Sequence, residues 1–154
     1  DEELFAQLLS GTDPVPRRGA VEVARAHRDH AIQPLYLSGR PYQIAGLTRR
    51  WLSSHGFPPG PLLTPARTVQ ARPGEAVERY KREVLNSLTT GAKVVIVRAY
   101  GNAESDLCAY AEAGVAPART FMVGALGGHA CAGHDPSQPL ESYVEHLAGL
   151  GFEY

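Results

Sequence analysis

Apolar positions along this chain alternate between helical and strand spacing. Ala20, Val23, Ala24 and His27 recur at the interval that lines one face of a helix, which predicts a helix over 19–30. The mostly apolar run 32–37 predicts a buried strand, and the periodic segment 42–55, ending before Gly56 and the breaker Pro58-Pro59-Gly60, predicts a helix. A short strand is expected at 61–64 and a loop at 66–74. A helix is expected over 75–88, with Val77, Tyr80, Lys81, Val84, Leu85 and Leu88 at helical spacing. The strongest strand signal is 93–99, where Val94-Val95-Ile96-Val97 form an unbroken β-branched run. A helix over 105–114, a strand over 119–123, a glycine-rich loop over 124–133 and a helix over 140–150 complete the pattern, and 2–9 is a short amphipathic stretch. Such alternation predicts an α/β domain with a mostly parallel sheet.

Composition narrows the class further. A chain of 154 residues, 44% of them hydrophobic, has enough material for one core, so a single domain over 1–154 is expected. A net charge of -1 gives no bulk electrostatic case for nucleic acid or for an anionic membrane. No apolar run of membrane-spanning length and no secretory leader pattern stand out, so a soluble domain is expected, with a cytoplasmic compartment compatible but undetermined. Cys108 and Cys131 are too few for a disulfide scaffold. Lys81 and Lys93 are the only lysines among 15 basic residues, which makes each one conspicuous.

The chemistry concentrates at element ends. Leu35-Tyr36-Leu37-Ser38-Gly39-Arg40-Pro41 reads as a strand that stops on a hydroxyl before a helix, the place where open α/β sheets bind ligands. Ser38 has a hydroxyl to give a phosphate oxygen, and Gly39 lets the backbone come close. An ordinary helix cap explains Ser38 alone equally well. Lys81 sits beside Glu78, Arg79, Arg82 and Glu83, which also suits a solvated face. Gly101-Asn102 suits a plain strand-ending turn, and Asp106 a helix-start charge. Arg40 and Arg49 suit an anionic substrate or surface ion pairs. The loop Gly127-Gly128-His129-Ala130-Cys131-Ala132-Gly133-His134-Asp135 holds zinc-type side chains, but their spacing matches no common finger and a glycine-rich surface loop is the simpler account.

Taken together, Tyr36-Leu37-Ser38-Gly39-Arg40-Pro41, Tyr80-Lys81 and Tyr100-Gly101-Asn102-Ala103-Glu104-Ser105-Asp106 resemble the second, third and fourth motifs of haloacid dehalogenase-like phosphohydrolases, in the lipin-like variant that has Gly-Asn in the fourth. Leu47-Thr48-Arg49, Trp51-Leu52, Gly60-Pro61-Leu62-Leu63 and Asp106-Leu107-Cys108-Ala109-Tyr110 extend the resemblance. It implies a three-layer Rossmann-like fold with helices on both faces of the sheet, and a magnesium-dependent phosphomonoester hydrolase. Its substrate would be a phosphorylated small molecule or a phospholipid head group. The implied roles are catalytic for Ser38, Lys81 and Asp106, phosphate-binding for Ser38, Gly39 and Lys81, and Mg2+ ligation for Asn102 and Asp106.

One departure stands out. The first motif of that family, Asp-x-Asp-Gly-Thr on the strand that opens the domain, does not occur in these residues. In the family it supplies the nucleophile, which forms an aspartyl-phosphate, and the acid that protonates the leaving group and then activates water. Two completions follow: a nucleophile strand upstream of Asp1, which is favoured, or a sheet closed by a strand from a second copy in a homo-oligomer. A catalytically inactive binding or assembly module on the same scaffold is the alternative function.

Overall fold

A computed structural model of the chain describes residues 14–152. In chain order these carry α1 (Ala20–Asp29), β1 (Tyr36–Leu37), α2 (Ala45–Ser54), β2 (Leu62–Leu63), α3 (Glu75–Asn86), β3 (Ala99–Gly101), α4 (Glu104–Glu112), β4 (Thr120–Val123), β5 (Gln138–Leu140) and α5 (Tyr143–Gly149). All strand pairings are parallel, as expected of a Rossmann-like α/β fold. The chain forms two compact units, one of residues 1–64 with 142–154 and one of residues 65–141. The stretch expected to be amphipathic at 2–9 lies outside the described residues.

In the first unit β1 pairs with β2 through Tyr36↔Leu62 and Leu37↔Leu63. The amides of Tyr36 and Ser38 donate to the Pro61 and Leu63 carbonyls, both at 2.9 Å. Of the strand expected over 32–37 only this end forms. Proline at 34 has no N–H to give a ladder, and Gln33 instead donates its side-chain amide to the carbonyls of Pro34 and Pro59. The Tyr36 hydroxyl donates to the Pro58 carbonyl at 2.6 Å, and burial pushes its phenol up to about 12. Helix α1 buries Val21, Val23 and His27 and packs on α5, which starts where the Ser142 hydroxyl accepts the Glu145 amide. Near the end of the described chain, Phe152 stacks on the His30 ring at 3.8 Å and meets His27 edge-on.

The second unit is built on the order β3-β4-β5, with Ala99↔Thr120, Tyr100↔Phe121 and Gly101↔Met122 in one pair and Phe121↔Gln138, Met122↔Pro139 and Val123↔Leu140 in the other. Met122, on the central strand, is fully buried, as is Ala109 on α4. Val77, Tyr80, Leu85, Leu107 and Tyr110 pack with them in the core. The Tyr110 hydroxyl donates to the Tyr100 carbonyl at 2.6 Å, tying α4 to β3. Sequence periodicity missed β5, whose Gln-Pro-Leu has no alternating pattern; a proline is tolerated there because β5 is an edge strand.

The expected strand at 93–99 is the largest correction. Residues 93–98 take no strand pairing, and Val95 is 75% exposed; only Ala99–Gly101 joins the sheet, at its edge. A β-branched run favours extended backbone, but a ladder needs a neighbour, and β3 has one on a single side. The two cysteines, too few for a scaffold, are nonetheless joined: Cys108 on α4 is bonded to Cys131 in the loop after β4. That loop therefore has no free Cys131 thiolate to offer a metal.

Opening this crosslink releases a loop closed over a sequence separation of 23. Cys131→Ser should therefore lower unfolding free energy by about 3 kcal/mol. Denaturant unfolding with and without a reducing agent checks this: the reduced wild type should match the variant, and a variant as stable as the oxidised protein would contradict it.

Candidate functional site

The centre of the second unit is a buried ion pair. Lys81, on the inward face of α3, is 3% exposed, and its ammonium donates to Asp106 Oδ1 at 2.6 Å and to Ser105 Oγ at 3.1 Å. The periodicity that grouped Lys81 with Val77, Tyr80 and Leu85 thus decides against a solvated lysine; its charged neighbours are less buried and find other partners. Arg79 pairs with Glu75, and Arg82 with Glu112 across to α4.

Asp106 serves two partners at once. While Oδ1 takes the ammonium, Oδ2 accepts the amides of Asn102 at 3.2 Å and Ala103 at 3.1 Å, satisfying donors at the start of α4. This also explains the glycine at the end of β3. A Cβ at Gly101 would stand 2.5 Å from the Asp106 Cβ and 2.9 Å from its Cγ, so the carboxylate fits only against a bare backbone. Gly-Asn is here more than a turn signal: Gly101 makes room for Asp106 and Asn102 gives it an amide. Ser105 was not among the expected residues; its only signal is adjacency to Asp106.

Lys81, Asp106 and the Asn102 backbone are therefore brought together, with Ser105 added. Ser38 and Gly39 belong to the first unit. There the Ser38 hydroxyl oxygen accepts the Arg40 amide at 3.1 Å, which leaves the hydroxyl proton to donate elsewhere. The residue that precedes the short 3-10 turn Tyr42–Ile44 is Pro41, so Ser38 is not the cap of the following helix.

Mg2+ requires an octahedral set of oxygens. Both Asp106 oxygens already take hydrogen bonds, one from an ammonium, and no group of three or more His, Cys, Asp or Glu among the described residues could hold a metal ion. Asn102 and Asp106 do not by themselves make a magnesium site; an ion there would need further oxygen ligands.

A parallel α/β fold with a helical lysine held by the α4 carboxylate that also accepts the amides after Gly101 agrees with the lipin-like class of the haloacid dehalogenase type. Comparison with known proteins gives the family. The family described as "PITM 1-3, LNS2 domain" matches residues 2–124, and the chain belongs to it. It is 31% identical over 142 residues, 92% of its length, to Protein retinal degeneration B of Drosophila melanogaster. It is also 34% identical over 118 residues, 75% of its length, to Membrane-associated phosphatidylinositol transfer protein 1 of Rattus norvegicus. With Membrane-associated phosphatidylinositol transfer protein 3 of Homo sapiens it shares 33% identity over 122 residues, 78% of its length. The chain spans only 11%, 9% and 12% of these proteins, respectively.

Removing one partner of the pair strands the other without solvent. Lys81→Met should cost about 3–5 kcal/mol, and Lys81→Met combined with Asp106→Asn should regain much of that, because no buried charge is left and the side-chain oxygen still accepts the Asn102 and Ala103 amides. Urea unfolding of both variants tests the pair; a single variant within about 0.5 kcal/mol of wild type would show that the ammonium is not structurally committed.

Proposed function

We propose that this domain binds a phosphate monoester in the lipin-like manner, and that it hydrolyses the ester only where an Asp-x-Asp-Gly-Thr strand accompanies it. The observation that carries this reading is the buried Lys81 ammonium, fixed by Asp106 and Ser105, with one N–H not claimed by any partner among the described residues. A cation held in place beforehand stabilises phosphate charge without reorganisation at the moment of binding. In the first unit, taken by itself, the Ser38 hydroxyl accepts the Arg40 amide and has its own proton to donate. Asp106 acts as the positioning residue for Lys81.

Given the two aspartates, the first would attack phosphorus while the second protonates the leaving oxygen. The second would then take a proton from water as that water attacks the aspartyl-phosphate. Mg2+ belongs to this reading only together with those carboxylates, with Asn102 as a neutral oxygen ligand beside them. The open edge of β3 is where an additional strand would pair. Names of the relatives, which include membrane-associated phosphatidylinositol transfer proteins, favour a phospholipid head group as the bearer of the phosphate. No helix of the described residues is long and apolar enough to cross a membrane.

A second reading, a binding module without turnover, applies where no Asp-x-Asp accompanies these 154 residues, which contain none of their own. Phosphate release from phosphatidate by the full-length protein, measured with and without Mg2+, separates the two. With an upstream aspartate motif, release should depend on Mg2+ and fall at least ~10-fold in Asn102→Ala. Without one, phosphatidate should bind and no phosphate appear. Absence of both binding and release would overturn the proposal.

A further inference from the structure

Among the described residues Arg40 is a cation without a counterion. Its side chain is largely withdrawn from water, and burial lowers its pKa from the ordinary guanidinium value. Three arginines of the described residues answer carboxylates: Arg28 pairs with Asp29, Arg79 with Glu75 and Arg82 with Glu112. Arg40 has no carboxylate within ion-pair distance among the described residues. Its one side-chain hydrogen bond goes from Nη1 to the hydroxyl of Thr48 on α2, at 3.4 Å. Thr48 is 5% exposed and passes its own proton to the Ile44 carbonyl at 3.4 Å. The guanidinium is therefore steered by a neutral, buried hydroxyl, and the rest of its donor fork is unclaimed.

Desolvating a charge is costly unless something compensates it. Among the described residues no carboxylate supplies that compensation, and the same short turn offers a second donor, the Ser38 hydroxyl, whose oxygen already accepts the Arg40 amide. Two donors and no acidic acceptor call for an oxyanion, and a guanidinium suits one with several oxygens in a plane.

We propose that Ser38 and Arg40 form one oxyanion-binding element, with Thr48 as the positioning residue for Arg40, and that Arg40 sets a preference for the doubly charged phosphomonoester over the singly charged phosphodiester. This rests on the reading that the domain binds a phosphate monoester, and it names the residue that selects among phosphates. Lipid and soluble monoesters share the chemistry.

The test uses the full-length protein with three probes: phosphatidylcholine vesicles carrying phosphatidate, the same vesicles carrying phosphatidylglycerol, and soluble glycerol 3-phosphate. Arg40→Gln should weaken binding to phosphatidate vesicles about 10- to 100-fold, the value of a charge-assisted hydrogen bond or two, and leave phosphatidylglycerol binding unchanged. Arg40→Lys keeps the charge but loses the fork and should weaken binding by about 3-fold or more. That variant decides the matter if Arg40→Gln does not fold. Thr48→Val should fall between wild type and Arg40→Gln, and Thr48→Ser should restore binding. Exposed Arg49, changed to Gln, should stay within about twofold of wild type. An equal loss for glycerol 3-phosphate supports recognition of the monoester whatever carries it; a loss confined to vesicles supports the lipid as its source. Wild-type affinity in folded Arg40 variants, alongside weakened binding in Lys81→Met, would overturn this inference and leave the function reading standing. No effect of either residue would overturn both.

Discussion

The contact between the Lys81 ammonium and the Asp106 carboxylate organises the second unit. It joins α3 to α4, it draws the Asn102 and Ala103 amides toward the carboxylate, and it forces glycine at the end of β3. A buried ion pair is a poor way to gain stability, since apolar residues of similar volume serve as well or better. What the pair secures is position: an ammonium that keeps its place without relying on solvent. Placing that charge beside the end of a parallel strand puts it where α/β folds present their ligand sites.

The two donor groups of the first unit follow a related logic with a different outcome. Lys81 is buried and neutralised by its own fold, whereas Arg40 is half-buried with no carboxylate partner among the described residues. The first arrangement holds a cation steady; the second leaves a demand for an anion. A domain that handled neutral ligands would gain nothing from leaving such a guanidinium unanswered.

Much of this was legible in the sequence, for identifiable reasons. Helical periodicity located α1 and α3 because each buries residues at helical spacing, and it placed Lys81 among those of α3 beside Tyr80 and Leu85. The order of Ser38, Lys81 and Gly101-Asn102 gave the family. Strands were less legible, because a strand depends on its neighbour: Val94–Val97 has the right side chains and no pairing partner, while the short β5 has a partner and an unremarkable sequence. The Cys108 to Cys131 bond and the Thr48 to Arg40 contact join residues whose proximity no local pattern announces. Ser105 could have been found only by asking what else an ammonium held by Asp106 would touch.

The most direct test of the account is whether the charge of Lys81 serves binding rather than folding. Lys81→Met combined with Asp106→Asn removes both charges and keeps a side-chain oxygen for the Asn102 and Ala103 amides. The measurement is the affinity of the full-length double variant for phosphatidate vesicles, taken alongside its thermal stability. The account predicts a protein that melts near the wild type and no longer binds; a folded variant that binds as tightly as the wild type would contradict it.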